Sequence, residues 1–207
     1  MKKLESSLAN MVLVLTGVAL VTGAVLAWVN TVTAAPIAAQ KEKTLADGIK
    51  AVLACDDLTV SHTDTVRQTD AKGREQTFIV YHAQDASGSA LGAAVESTTL
   101  GFGGDLKVLV GFSTVGDILG YTLLEHAETP GLGAKADKWF QKGEKGDIVG
   151  RNPQEPLTVS KDGGQVDAIT ASTITSRAFL LAVNNAYHAY LGDNTDAQSG
   201  ASKQTNQ

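Results

Sequence analysis

Two hydrophobic patterns divide the chain. Residues 6–40 carry no charge, and 11–29 are almost continuously apolar. At about 1.5 Å of rise per residue, such a run crosses a hydrocarbon core about 30 Å thick, so the pattern predicts one transmembrane helix. Trp28 stands near its far end, where an amphipathic ring suits the membrane interface. Over 38–53 the spacing changes. Leu45, Ile49, Val52 and Leu53 recur at helical intervals, with Lys41, Glu42, Lys43, Asp47 and Lys50 elsewhere around the turn. This predicts an amphipathic helix leading out of the membrane.

From residue 58 to 115 the period falls toward two. Runs rich in β-formers at 77–82, 89–95 and 107–112 are bounded by turn signals at Lys72-Gly73, Ser87-Gly88 and Gly103-Gly104-Asp105, and they predict antiparallel hairpins. A further strand is expected at 118–125. A short helix is expected at 135–142, with Trp139 and Phe140 as its core contacts, and a short strand at 157–159 ahead of the turn Lys161-Asp162-Gly163-Gly164. From Thr173 onward, Ile174, Ala178, Leu181, Ala182, Ala186 and Ala189 repeat at three- and four-residue intervals, which predicts the last helix, with Tyr187 and Tyr190 as packing residues. Beyond Gly192 the chain is polar and is expected to be disordered.

The resulting class is α+β: an anchor over residues 1–35, one domain over 36–192 and a tail over 193–207. A chain of 207 residues suffices for that organisation. Lys2 and Lys3 favour the cytoplasmic side, so a single-pass inner-membrane protein with its domain in the periplasm is expected. The rival is a cleaved signal peptide with Thr33-Ala34-Ala35 as the cleavage site, but signal apolar regions run only about 7–15 residues. With 17 basic and 22 acidic residues, a net charge of -5 and no basic cluster, nucleic acid is not an expected partner, whereas membrane lipid is. The single cysteine, Cys55, excludes an intrachain disulfide, a Cys-x-x-Cys-His haem attachment and a cysteine-ligated iron–sulfur cluster. It is expected to be a small buried residue near a helix end.

Two segments carry candidate chemistry. The first is Asp167-Ala168-Ile169-Thr170-Ala171-Ser172-Thr173-Ile174-Thr175, a run of small and hydroxyl-bearing residues directly ahead of the last helix. It offers accessible hydroxyls, small neighbours and a nearby acid, which is what attachment of a phosphate-bearing group requires. The second is His126-Ala127-Glu128-Thr129-Pro130-Gly131-Leu132-Gly133. There Pro130 fixes one backbone angle, Gly131 and Gly133 let main-chain N–H groups approach a flat ring or its phosphate, Thr129 adds a hydroxyl and Leu132 an apolar contact. Without a ligand the same features are a capped helix start, with Thr170 or Thr173 as N-cap, and a tight Pro-Gly connection after a strand. His126 and Glu128 are two candidate metal ligands without a third, and read best as surface polar residues. His62, His82 and His188 are scattered singly, and no nucleophile elbow, phosphate-binding loop or dinucleotide fingerprint occurs. The chain therefore reads as a cofactor carrier with no catalytic residue of its own.

The first segment resembles the flavinylation motif of the FMN-binding subunits of membrane redox complexes, with Gly-Ala of the motif replaced by Ala171-Ser172. The second resembles the His-x-Glu-Thr-Pro-Gly-Leu-Gly loop of the same family, upstream at the usual distance. With the amino-terminal apolar segment, the resemblance spans nearly the whole chain. It points to the G subunits of Rnf electron-transport complexes, with the C subunits of sodium-pumping NADH:quinone reductases as near neighbours. It implies FMN esterified through its phosphate to Thr173 by a flavin transferase, with Ser172 and Thr175 as rival acceptors and Asp167 in the transferase's recognition signature. It also implies that Glu128, Thr129, Gly131, Leu132 and Gly133 lie against the flavin together with Thr170, Ala171, Ser172, Ile174 and Thr175. The work implied is electron transfer beside the other Rnf subunits, coupling ferredoxin and NAD redox chemistry to Na⁺ or H⁺ translocation. The rival from another class is an anchored scaffold module that holds no flavin.

Overall fold

The computed structural model describes residues 8–69 and 75–203, so the expected Lys72-Gly73 turn lies outside the described residues. The chain forms two compact units, Met1–Thr44 and Leu45–Gln207. In the first, every described residue is helical, and its apolar side chains are exposed, Leu13 by 71% and Leu15 by 73%. Exposure of that kind along a helix long and apolar enough to cross a bilayer is what a membrane span requires. The helix is α1 (Leu8–Leu53), with Pro36 inside it.

The second unit is built on five strands: β1 (Thr59–Thr69), β2 (Glu75–Gln84), β3 (Ala90–Leu100), β4 (Asp105–Ser113) and β5 (Ile118–His126). They pair antiparallel in chain order, each with its sequence neighbour. The alternation expected from the sequence sends Phe78, Val80, Val95, Val108 and Val110 to one face, where α3 (Thr173–Lys203) covers them with Phe179, Leu180, Val183 and Ala186. The other face receives Ala83, Ala94 and Leu109, which pack against Ile49, Val52 and Leu53 at the end of α1. Thr99 Oγ1 donates to the Ala178 carbonyl at 2.9 Å, tying β3 to α3 inside the core. Tyr187 and Tyr190 are packing residues, as expected, with Tyr190 stacked on Phe112.

The α1 end lies so close to the sheet that a Cβ on Gly111 would stand 2.7 Å from the Val52 carbonyl carbon. We expect Gly111→Val to destabilise the fold by about 1–3 kcal/mol through overpacking, measured as a lowered midpoint of chemical denaturation. An unchanged midpoint would show that this contact yields freely.

Several boundaries differ from expectation. β1 carries no apolar alternation and escaped sequence reading; among the described residues it is an edge strand whose neighbour is β2. The strand expected at 157–159 is only a single bridge between Val159 and Val166. The helix expected at 135–142 shrinks to α2 (Ala136–Trp139), preceded by a 3₁₀ turn at Gly133–Lys135. Tyr121 holds α2 in place by donating to the Ala136 carbonyl at 2.6 Å and accepting from the Phe140 N–H at 3.1 Å. The last helix continues past Gly192 to Lys203, and 204–207 lie outside the described residues. Cys55 is half-buried rather than buried, two residues beyond the end of α1.

Candidate functional site

The loop leaving β5 folds back through the turn Thr129-Pro130-Gly131-Leu132, closed by the Leu132 N–H on the Thr129 carbonyl at 3.1 Å. This fold-back carries Glu128 inward. It is 6% exposed, so its expected place on the surface is wrong. Its Oε1 accepts from the backbone N–H groups of Phe102, at 2.7 Å, and Gly103, at 3.2 Å, while Oε2 accepts from Thr175 Oγ1 at 2.7 Å. A buried carboxylate is tolerable only when its lone pairs are filled in this way. Here the filling also joins three distant segments: the β3–β4 loop, the loop after β5 and the first turn of α3. Gly133 must lack a side chain, because a Cβ there would press on the Glu128 carboxylate and sit 2.8 Å from Thr175 Oγ1.

Around this junction lies a cleft of about 360 Å³, within the roughly 300–1,000 Å³ range of small-molecule sites. Glu128, Thr129, Leu132 and Gly133 line one side, Ala171, Ser172, Thr173, Ile174 and Thr175 another, and Phe102 completes it. Phe102, Leu132 and Ile174 are 68%, 42% and 54% exposed, leaving apolar side chains in the open at the cleft. Of the residues expected at the site, Asp167, Thr170 and Gly131 do not line it. Asp167 instead accepts from Ser160 Oγ at 3.1 Å through its carboxylate, and from Trp139 Nε1 at 2.8 Å through its carbonyl.

The hydroxyls of the segment are sorted by their surroundings. Thr175 is 1% exposed and commits its proton to Glu128. Ser172 is 8% exposed and immediately precedes α3, the position expected of an N-cap, so neither Thr170 nor Thr173 occupies it. Thr173, the first residue of α3, is half-buried, lines the cleft, and accepts from Lys161 Nζ at 3.2 Å. Beside it Arg177 donates from Nε and Nη2 to Asp162, each at 2.6 Å, and holds that carboxyl below the usual carboxylate range. The fork is therefore intact at neutral pH and is lost only as acid protonates Asp162 below its ordinary range.

The residue ahead of Ser172 is strained. Ala171 has a φ of 62°, in the left-handed region where a Cβ costs about 1–2 kcal/mol. Ala171→Gly should therefore raise the thermal midpoint by a few degrees, at roughly 2–4 °C per kcal/mol for a domain of this size. A lowered midpoint would mean that the alanine methyl makes contacts worth more than the strain.

Comparison with known proteins follows the same segments. A family model described as FMN-binding domain matches residues 101–188, and one described as RnfG N-terminal region matches 1–52. The G subunit of the ion-translocating oxidoreductase complex of Vibrio cholerae is 35% identical over 181 residues, covering 84% of this chain and 86% of that protein. The chain belongs to the RnfG family. The corresponding G subunit of Shewanella baltica is 39% identical over 122 residues, a match that spans 56% of this chain and 57% of that one. Among solved structures, Shewanella oneidensis NqrC aligns with a TM-score of 0.42 at 20% identity, over 58% of this chain and 63% of that one.

In this member of the RnfG family, sequence reading missed Phe102, Ser160 and Lys161. The signal for Phe102 was a large aromatic set between Gly101 and Gly103, where a plain turn has no use for one. For Ser160 and Lys161 no sequence signal existed, because their partners lie 7 and 12 residues away.

Proposed function

We propose that this chain is the electron-transfer flavoprotein subunit of an ion-translocating oxidoreductase complex, holding FMN in the cleft beside Glu128 and esterified through its phosphate to Thr173. The observation that carries this reading is the sorting of hydroxyls. Of the three that line the cleft in the 171–175 stretch, Thr175 is committed to Glu128 and Ser172 is buried, while Thr173 stands half-buried beside a lysine. The residues present fit the group. Phe102, Leu132 and Ile174 supply apolar walls for a flat ring. The first backbone N–H groups of α3 lack partners within the helix and, with Lys161, favour a phosphate.

FMN, when bound, accepts and passes on one or two electrons. The chain's own part is to hold and shield it. The apolar walls reduce water at the ring, and Glu128 keeps the three loop segments in register. The helix start with Lys161 offsets the charge that a phosphodiester retains. Attachment through a bond prevents loss of the cofactor where free FMN is not retained. The family assignment and the apolar α1 support a single-pass inner-membrane protein, and Lys2 and Lys3 support a periplasmic domain. Other subunits of the complex are then the partners in electron transfer, coupled to movement of Na⁺ or H⁺.

The test is the intact mass of the full chain produced with and without an active flavin transferase, followed by peptide mapping. The expected result is an increment of one FMN less one water, confined to the peptide that contains 170–175. An unmodified chain would replace this reading with an anchored scaffold.

A further inference from the structure

Three consecutive side chains of the 3₁₀ turn Ser160–Asp162 each reach the acceptor segment or the helix that follows it. Ser160 Oγ donates to Asp167 Oδ1 at 3.1 Å, Lys161 Nζ donates to Thr173 Oγ1 at 3.2 Å, and Asp162 accepts both bonds of the Arg177 fork. The turn is itself held by the Ser160 N–H on the Val166 carbonyl at 2.7 Å and the Gly164 N–H on the Val159 carbonyl at 3.1 Å. A lysine ammonium ordinarily pairs with a carboxylate where one is free nearby. Here Asp162 is engaged by Arg177 and Asp167 by Ser160, and the lysine is left on a neutral hydroxyl. Ordering a long, exposed side chain costs entropy that a bond to a neutral hydroxyl scarcely repays. The arrangement gains its purpose once that hydroxyl carries an anion. Arg177 lies four residues after Thr173, hence on the same side of α3, and adds a second cation to that face.

We propose that Lys161 is the cation that presents Thr173 for phosphoryl transfer and afterwards offsets the charge of the phosphodiester, with the Ser160–Asp162 turn as its clamp. The inference rests on Thr173 being the point of FMN attachment. FMN itself has no good leaving group on phosphorus, so the donor is a flavin dinucleotide. The bond from Thr173 Oγ1 to the flavin phosphorus forms as the pyrophosphate P–O bond breaks. A nucleoside monophosphate departs, the threonine proton ends on it, and no electrons change hands. Lys161, donating to Oγ1, stabilises the negative charge that grows there as the proton leaves.

The test uses the full chain in detergent, a purified flavin transferase and a flavin dinucleotide. The initial rate of mass gain is followed against chain concentration for wild type, Lys161→Arg, Lys161→Gln and Lys161→Glu, with the thermal midpoint of each. Because the site is exposed, the loss should be milder than for an enclosed electrostatic donor. We expect kcat within about threefold of wild type for arginine, about tenfold lower for glutamine and about a hundredfold lower for glutamate, with midpoints unchanged. The graded response to charge at constant stability is what a merely structural lysine would not give. Wild-type kcat in the glutamine and glutamate variants would overturn the proposal, as would a loss confined to KM, which would make Lys161 a docking contact for the transferase. A wild-type chain that gains no mass would instead overturn FMN attachment itself, a result readily told apart from these.

Discussion

Thr173→Ala should abolish the FMN-sized mass increment, while Ser172→Ala and Thr170→Ala keep it. The argument is one of access and commitment. A phosphoryl group needs an in-line approach to the hydroxyl oxygen, and Thr173 is the threonine that lines the cleft with its oxygen facing a cation rather than an internal acceptor. Thr170 is exposed but lies outside the cleft, and Ser172 is buried at the helix start. Thr175 needs a gentler variant, because its hydroxyl is the partner of Glu128. Thr175→Ser keeps that donor and should keep full modification. The readout is intact mass with peptide mapping. Persistence of the increment in Thr173→Ala, relocated to Ser172 or Thr170, would show that the transferase reads the segment rather than the position.

Glu128→Ala should destabilise the domain by about 3 kcal/mol or more and empty the cleft of its order. The substitution strands two backbone N–H donors and one threonine hydroxyl, each costing about 1–3 kcal/mol when buried without a partner, less whatever water recovers. For a domain of this size that is roughly 10 °C in the thermal midpoint. Glu128→Gln is the sharper comparison. It keeps the shape, an acceptor oxygen for the two backbone N–H groups and an amide that can donate to the Thr175 hydroxyl once that hydroxyl turns to accept, so it should cost less than alanine. The alanine variant should show reduced FMN attachment even below its midpoint, since Thr175 and the loop carrying Phe102 lose their common anchor, while glutamine should retain most of it. A midpoint within a degree or two of wild type in both variants would make the carboxylate dispensable to the fold.

Much of the architecture was readable because it rests on repeats in the sequence. The apolar run of α1, the alternation in β2 to β5 and the three- and four-residue intervals from Thr173 each declare their own element. β1 did not, since an edge strand of hydroxyl and charged residues has no period to betray it. The site was legible where it lay on contiguous motifs, which supplied Thr129, Leu132, Gly133 and the 171–175 stretch. It was illegible where geometry is made by long-range closure. The burial of Glu128 depends on bonds to residues 25, 26 and 47 positions away, and nothing near it in sequence distinguishes it from the polar surface. The same holds for Lys161, which reads as an ordinary turn residue until the helix start is placed beside it. Ala171 is the opposite case. The resemblance marked it as standing where the flavinylation motif has glycine, and the positive φ is a conformation that glycine adopts without strain.

The strand order has a consequence for the timing of assembly. Because each strand pairs with its neighbour in the chain, the sheet can zip up from local hairpins, whereas the bonds from Thr175 to Glu128 and from Thr99 to Ala178 close loops of 47 and 79 residues. The cleft is thus complete only once the last helix has docked on the sheet. A maturation enzyme that requires Thr173 beside Lys161 would encounter its substrate only after the final helix has docked, so a covalently attached cofactor would mark those chains that had finished folding.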